Sequence, residues 1–198
     1  MMDEDQGAKS PYHHGDLRAA LLTAAEAELA ERGIEAFSLR QVARRAGVSH
    51  AAPAHHFGDA NGLLTALAAE GFRRFLETQR AREAAAGPST EAQFLASGVG
   101  YVDFALARPA LFRLLFGSDR PDYADPELKL AADAAYDNLN ALVSQTGGGP
   151  LEVAAAWAMA HGLADLLTRG RLKGMGNLSA TERDKMVTAM IARTQRRD

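Results

Sequence analysis

Cysteine is absent from all 198 residues of the chain. A chain without thiols cannot form disulfide bonds and cannot bind a metal through thiolates. The absence therefore excludes a disulfide-stapled secreted domain and cysteine-based zinc sites, and it fits a reducing compartment. The chain is still long enough for one or two domains with a real hydrophobic core.

Long hydrophobic runs and alternating patterns are also missing. No apolar stretch reaches the length that spans a membrane, and the N-terminal MMDEDQGAKS is too polar and acidic for a signal peptide. Ala and Leu dominate, β-branched residues are sparse, and no strict alternation persists. We therefore expect a cytoplasmic, all-α protein with no membrane partner.

Acidic residues are missing from one stretch, Ala36–Gly58. All 25 Asp and Glu residues lie outside it, although the formal net charge of the whole chain is -3. The basic residues of this stretch are Arg40, Arg44, Arg45, His50, His55 and His56. A local positive face attracts phosphates whatever the overall charge is, so the pattern favours a nucleic-acid partner.

The same stretch has the start and stop signals of a helix-turn-helix. Ser38 and Gln41 have the spacing of a capping box for a first short helix, and Gly47 is suited to end that helix. Ser49 is placed to cap a second short helix, whose free N–H groups suit a phosphate oxygen. A helical hairpin with a solvated charged face is the alternative that this pattern alone leaves open.

The residues around this motif resemble the N-terminal domain of TetR/AcrR-type transcriptional regulators. The resemblance runs in one register from about Tyr12 to Leu64 and rests on Leu17, Leu21, Ala25, Gly33, Phe37-Ser38, Val42-Ala43, Ala46-Gly47-Val48-Ser49 and His56-Phe57. Trp157, His161 and Gly162 look like the WHG-type C-terminal domain found in one branch of that family. The resemblance implies a helix-turn-helix domain followed by a helical domain for ligand binding and dimerisation.

Two positions depart from the family pattern. Ala54 stands where the family usually has Tyr, and Ala60 stands where it usually has Lys. Both family residues typically hold DNA phosphates, so their loss is expected to weaken DNA binding and to flatten its salt dependence. The alternative function is therefore a module that keeps the fold, has lost DNA binding, and binds a ligand or a protein instead.

The resemblance also implies a set of DNA contacts. Arg40 is expected to reach a base edge, with guanine favoured by geometry, and His50 is the second candidate for a base contact. The small Ala51 and Ala52 would let the backbone approach the groove. The expected phosphate contacts are Ser38, Arg44, Ser49, His55 and His56. The partner is then a double-stranded DNA operator, read by a homodimer at half-sites about one helical turn apart.

Breaks in the apolar periodicity divide the rest of the chain into helices. Besides the two short helices, we expect helices over about 16–32, 59–84, 89–107, 109–117, 125–144, 151–168 and 179–191, with a turn over 170–176. Residues 1–58 are assigned to an N-terminal arm and DNA-binding domain. Residues 59–198 are assigned to an effector-binding and dimerisation domain that begins with the connecting helix.

Aromatic residues make up 7% of the chain, and most lie in its C-terminal part. Most of them are expected to be core, and a subset is expected to line a cavity for a small hydrophobic or amphipathic effector, as the resemblance implies. The candidates are Phe72, Phe75, Phe94, Tyr101, Phe104, Phe112, Phe116, Tyr136, Trp157 and His161. Trp157 and His161 are spaced to share one helix face; a buried histidine bonded to a neighbouring carbonyl is the alternative for His161.

The segment Leu151–Thr168 is apolar on nearly every face and must be buried on several sides. With the apolar stripe near the C-terminus it is the candidate dimer interface, and the resemblance places the last two helices in a four-helix bundle. The candidates are Leu151, Ala155, Met159, Gly162, Leu166, Met186, Val187, Met190 and Ile191. A helix that lies wholly inside one protomer is the alternative.

An enzyme is not expected. The sequence shows no paired carboxylates on an apolar helix face, no His-x-x-x-His pair, no Gly-rich phosphate loop and no triad, and it implies no cofactor or metal. The predicted function is a DNA-binding transcriptional regulator that responds to a small effector, with repression favoured by the resemblance only.

Overall fold

Helices make up the architecture of residues 14–195, the part of the chain that this computed structural model describes. Side-chain surroundings are described for residues 17–175 and 177–194. The predicted N-terminal arm lies outside the described residues. Among the described helices, none combines the length and the apolar character needed to cross a lipid bilayer.

Three helices form the N-terminal unit, α1 (His14–Arg32), α2 (Leu39–Ala46) and α3 (Ala52–Phe57). Leu21, Ala25 and Leu29 of α1 are buried against Val42 of α2, as the apolar spacing predicted. Gly47 ends α2 in the left-handed conformation, with φ 67°. Glycine adopts this conformation without steric cost, so the predicted helix stop is confirmed.

Two predicted caps in this unit are wrong. Ser38 precedes α2 in extended conformation, but its side chain makes no capping hydrogen bond. The second short helix does not start after Ser49, because its N-cap is Ala51. The Ala52 N–H donates to the Ser49 carbonyl in a separate turn, at 3.0 Å. Pro53 then lies in the first turn of α3, where its fixed φ and missing N–H are tolerated.

The long helix α4 (Ala60–Ala85) follows directly after α3 and connects the two parts of the chain. The Gly62 N–H donates to the Asp59 carboxylate at 2.9 Å, so Asp59 caps α4. One face of α4 is buried along most of its length, with Leu64, Phe72 and Gln79 among the buried residues. The same helix therefore borders the helix-turn-helix at one end and the C-terminal helices along the rest.

The C-terminal part contains α5 (Thr90–Ala107), α6 (Pro109–Gly117), α7 (Pro126–Gln145), α8 (Pro150–Thr168), α9 (Lys173–Gly176) and α10 (Ala180–Ile191). A 3-10 turn follows over Ala192–Gln195. Asp125 caps α7 and Ser179 caps α10, and Glu182 completes the Ser179 capping box. The expected turn over 170–176 instead contains the short helix α9.

Close approach of α4 and α5 depends on one glycine. A Cβ on Gly100 would lie 2.8 Å from the Cα of Gln79, so only glycine fits this crossing. The approach brings Gln79 of α4 and Ser97 of α5 into direct contact in the interior.

Ion pairs connect the N-terminal unit to the C-terminal helices. Arg18 of α1 contacts Glu127 of α7 at 3.1 Å. Glu26 of α1 contacts Arg74 of α4 at 2.6 Å and Arg108, at the start of α6, at 3.2 Å. Because of these ion pairs, a displacement of α4, α6 or α7 would also displace α1. It would move α2 as well, since α2 packs against α1.

Candidate nucleic-acid interface and effector cavity

The exposed surface of α2 and α3 carries the predicted DNA contacts. Arg40 and Arg44 are exposed on α2, Ser38 is half-buried, and Ser49, His50 and Ala51 are exposed in the turn that leads to α3. His55 is exposed on α3, while Ala52 and His56 are half-buried. The nine candidates therefore lie on α2, on α3 and in the residues next to these two helices. Of them, Arg40, Arg44, His50 and His55 have exposed basic side chains.

Arg45 is exposed as well, but its charge is paired within the chain. Its Nε donates to Glu28 of α1 at 2.8 Å, and its Nη2 contacts Glu31. The hydrogen bonds with these two carboxylates raise the pKa of Arg45, and the Arg45 guanidinium lowers the pKa of Glu31. Of the two carboxylate residues, Glu28 is buried and Glu31 is exposed. Arg45 of α2 thus forms ion pairs that attach α2 to α1. Counting basic residues in the sequence does not show this structural role.

The two positions that depart from the family pattern lie beside the same surface. Ala54 is exposed on α3, and Ala60 is half-buried as the first residue of α4. Each methyl side chain offers no hydrogen bond and no charge to a phosphate. Besides the paired Arg45, the exposed basic side chains of this face are therefore those of Arg40, Arg44, His50 and His55.

A cavity of about 430 Å³ lies among the C-terminal helices. That volume is within the range of small-molecule sites. Seven of the predicted effector residues line it, Phe72, Phe75, Phe94, Tyr101, Phe116, Tyr136 and Trp157. The sequence analysis missed Gln79, Ser97, Gly98, Leu115, Tyr123, Ala132, Asp133, Ala135, Leu139, Ala156, Ala160 and Ile191. Their residue types give no sequence signal that separates a cavity wall from a packed core.

Three of the predicted effector residues do not line the cavity. Phe104 is buried against Phe75, with ring centroids 5.4 Å apart, and Phe112 is buried against Phe116 at 5.2 Å. His161 lies behind Tyr101, and its Nδ1 is 2.9 Å from the Tyr101 hydroxyl oxygen. The partner of His161 is therefore a hydroxyl group and not the carbonyl expected. These three side chains support the wall of the cavity from behind.

Tyr136 and Trp157 form the outer part of the cavity wall. Their ring centroids are 6.1 Å apart in an edge-to-face arrangement, and both residues keep nearly half of their surface exposed. Deeper in, burial raises the pKa of Tyr101, so its hydroxyl group remains neutral across the physiological range. The outer part of the cavity wall is thus formed by two partly exposed aromatic side chains, and its inner part includes the neutral Tyr101 hydroxyl group.

The outer face of α8 exposes apolar side chains. Leu151 and Leu166 are exposed, and Ala155, Met159 and Gly162 are half-buried. On α10, Met186 is exposed and Met190 is half-buried. Val187 and Ile191 are only 1% exposed and lie in the core of the same chain, where they cannot contact a second copy. Helical periodicity marks an apolar stripe, but it does not tell which part of a broad stripe faces inward.

No group of three or more His, Asp or Glu residues in the described part of the chain is arranged to hold a metal ion. The exposed histidines of α3 lie side by side, with His55 and His56 ring centroids 5.6 Å apart.

Sequence comparisons match both parts of the chain. The profile of the bacterial regulatory proteins of the tetR family matches residues 21–67. The profile of the tetracyclin repressor-like C-terminal domain matches residues 94–194. The HTH-type transcriptional regulator BetI of Cronobacter sakazakii is 30% identical over 151 residues, which cover 76% of this chain and 75% of that protein.

Structural comparisons give the same fold over nearly the whole chain. A protein of unknown function from Rhodococcus sp. RHA1 aligns with a TM-score of 0.78 and 36% identity, covering 94% of this chain and 97% of that chain. The TetR-like transcriptional regulator LfrR from Mycobacterium smegmatis, solved in complex with proflavine, aligns with a TM-score of 0.62 and 17% identity. That alignment covers 89% of this chain and 95% of LfrR, and at this identity it shows the fold alone.

Proposed function

The chain belongs to the TetR family of DNA-binding transcriptional regulators, and from this premise we propose that it is a homodimeric repressor that leaves its operator when a small, largely apolar effector fills the cavity. The observation that carries the proposal is the cavity of about 430 Å³ lined by α4, because α4 also borders the helix-turn-helix. Residues 1–58 would then be the DNA-binding domain, and residues 59–198 the effector-binding and dimerisation domain. Such a repressor acts in the cytoplasm, where the DNA is.

The DNA-binding half of the proposal rests on the exposed basic residues of α2 and α3. Arg40 would donate to a guanine edge and His50 would make a second base contact, while Ser38, Arg44, Ser49, His55 and His56 would hold phosphates. The turn at Ala51 and Ala52 presents small side chains, so the backbone can approach the groove. Of the candidate contacts, Arg40 and Arg44 have fully charged side chains, and neither makes an ion pair within the described residues.

The response to an effector requires that the two states of the protein bind the effector with different affinity. A ligand between α4, α5, α7 and α8 changes their spacing, and the ion pairs of Glu26 with Arg74 and Arg108 pass that change to α1. The position of α2 and α3 in one subunit relative to the other then no longer fits two successive half-sites. LfrR, which shares this fold, was solved with the planar aromatic compound proflavine, and we extend the capacity for such ligands to the present cavity.

An effector that enters the cavity is expected to change the fluorescence of Trp157, the only tryptophan of the chain, and to release DNA. Ala135→Phe puts a ring into the cavity from α7, because Ala135 is buried in the wall. We expect this variant to keep its DNA affinity and to lose the effector response. A panel of aromatic compounds, assayed by Trp157 emission and by DNA release, measures both. Release of DNA from Ala135→Phe at the wild-type effector concentration would contradict the proposal.

The homodimer is proposed to form through the exposed apolar face of α8 together with α10. Leu166→Asp introduces a charge into that contact, and burying an unpaired carboxylate is strongly unfavourable. We expect the wild-type protein to sediment as a dimer at micromolar concentration and the variant as a monomer. Leu130→Asp is the control, because it adds the same charge at an exposed leucine of α7, outside the proposed contact. A monomeric wild-type protein, or a dimeric Leu166→Asp, would contradict this interface.

One observation favours a second candidate function. Ala54 and Ala60 offer nothing to a phosphate, and Arg45 is held by Glu28 and Glu31, so three potential contacts of the face are unavailable. A protein that keeps the family fold and the cavity but has lost DNA binding would show the same features. Such a module would bind its ligand or a protein partner without any effect on a DNA operator.

A further inference from the structure

Gln79 of α4 is an unusual residue for the wall of an apolar cavity. It is 6% exposed and lies next to Ser97 of α5, and both residues line the cavity. The Gln79 Nε2 donates to the Ser97 carbonyl at 3.3 Å and to the Ser97 Oγ at 3.1 Å. Buried side-chain amides normally use both their donor and their acceptor, because an unmade hydrogen bond in the interior is costly.

The acceptor of this amide is not used. Gln79 Oε1 is buried and has no hydrogen-bond partner among the described residues. Exchanging the amide oxygen and nitrogen would not solve this, because Oε1 would then face the Ser97 carbonyl oxygen, another acceptor. The orientation is therefore fixed by Ser97, and an oxygen acceptor is left over in a residue that lines the cavity.

Tyr101 does not add a free acceptor to the interior. Its hydroxyl oxygen lies 2.9 Å from His161 Nδ1. The Trp157 side chain also hydrogen-bonds to this hydroxyl group. Since burial raises the Tyr101 pKa, the group remains a neutral phenol. The buried side-chain acceptor of the lining that has no partner among the described residues is thus Gln79 Oε1.

Positive charge is absent from the lining. None of the cavity-lining residues in the described part of the chain is Lys, Arg or His. The acidic Asp133 lies on the exposed outer part and is already paired with Lys129 at 2.5 Å. A carboxylate or phosphate that entered would lose its hydration, would find no cation, and would face acceptor oxygens, all of which raise its free energy.

We propose that the cavity binds an uncharged or cationic, largely apolar ligand with an N–H or O–H group that donates to Gln79 Oε1, and that it rejects carboxylates and phosphates. The proposal rests on the proposed function only in taking this cavity as the effector site. The aromatic wall supplies the apolar contact, and the Gln79 oxygen selects the donor.

Three derivatives of one fluorescent ring system test this ligand class. Pyrenecarboxamide is neutral and carries N–H donors, methyl pyrenecarboxylate is neutral without a donor, and pyrenecarboxylate is an anion without a donor. Energy transfer from Trp157 to the pyrene ring reports binding at this cavity, since Trp157 is the only tryptophan. The titrations use the full chain, with Gln79→Leu and the control Gln93→Leu, whose glutamine lies outside the cavity lining and donates to the Gly87 carbonyl.

The wild-type protein is expected to bind the carboxamide at least about tenfold more tightly than the ester, with the carboxylate weakest, because only the carboxamide satisfies the buried acceptor. In Gln79→Leu the preference for the carboxamide over the ester should disappear, while Gln93→Leu should keep it. Equal binding of ester and carboxamide, or tight binding of the carboxylate, by the wild-type protein would overturn the ligand class and leave the cavity as an effector site. Binding of none of the three probes would overturn the ligand class and the effector site together. The wild-type series decides the question even if Gln79→Leu fails to fold.

Discussion

Phe104→Ala is expected to lower the free energy of unfolding by about 3–5 kcal/mol, the usual cost of removing a buried phenyl ring. Phe104 is 1% exposed and packs edge-to-face against Phe75, so its removal leaves a void behind the cavity wall. Trp157→Ala is expected to cost less, about 1–2 kcal/mol, because Trp157 is 44% exposed and has less buried surface to lose. Urea unfolding followed by circular dichroism at one protein concentration measures both.

The comparison separates core aromatics from cavity aromatics. Trp157→Ala should weaken ligand binding by more than its smaller loss of stability explains. Any loss of ligand binding in Phe104→Ala should instead follow its loss of stability. Equal losses of unfolding free energy in the two variants would contradict the assignment of Phe104 to the core and of Trp157 to the cavity wall.

Ala60→Lys is expected to raise the affinity for operator DNA by about tenfold, since a charge-assisted hydrogen bond to phosphate is among the stronger protein contacts. It should also steepen the logarithmic dependence of affinity on salt by about one unit, because one more counterion is released. Ala54→Tyr adds a neutral hydroxyl group, so it should raise affinity without changing the slope. Fluorescence anisotropy over a salt series measures both quantities.

Ala84→Lys is the control for Ala60→Lys, because Ala84 is exposed near the opposite end of α4. It adds the same charge and should leave the salt slope nearly unchanged. If the wild-type chain does not bind DNA and the double variant Ala54→Tyr/Ala60→Lys does, the module that has lost DNA binding is the better description. No effect of Ala60→Lys on affinity or slope would contradict the placement of Ala60 beside the DNA backbone.

Most helix boundaries were predictable from this sequence because they depend on local chemistry. Asp59, Ser89, Asp125 and Ser179 cap the helices that follow them, and Gly47 ends α2 in the left-handed conformation. Ser38 and Ser49 have the same residue type and form no such cap. The resemblance gave the family, which the comparisons confirm, and with it a function as a transcription factor and not an enzyme.

Features that depend on partners far away in the chain were not predictable. Arg45 looks like Arg44 in the sequence, and only the fold shows that Glu28 and Glu31 neutralise it from α1. Phe104 and Phe116 both lie on apolar helix faces in the sequence pattern. In the structure Phe104 is a core residue, whereas Phe116 lines the cavity. The sequence does not single out Gln79 as a cavity residue, because its contact with Ser97 depends on the close crossing of α4 and α5 at Gly100.

The central claim is that this chain reads DNA through the exposed face of α2 and α3. Its most direct test is fluorescence anisotropy with DNA from immediately upstream of its own gene, at two salt concentrations, for the wild type, Arg40→Ala and Arg80→Ala. Arg80 is exposed on α4 toward the end remote from α3, so its replacement is the control for the loss of one positive charge. We expect tight binding by the wild type and Arg80→Ala, weaker binding at higher salt, and loss of specific binding in Arg40→Ala. No binding by the wild type, or binding that Arg40→Ala leaves unchanged, would contradict the account.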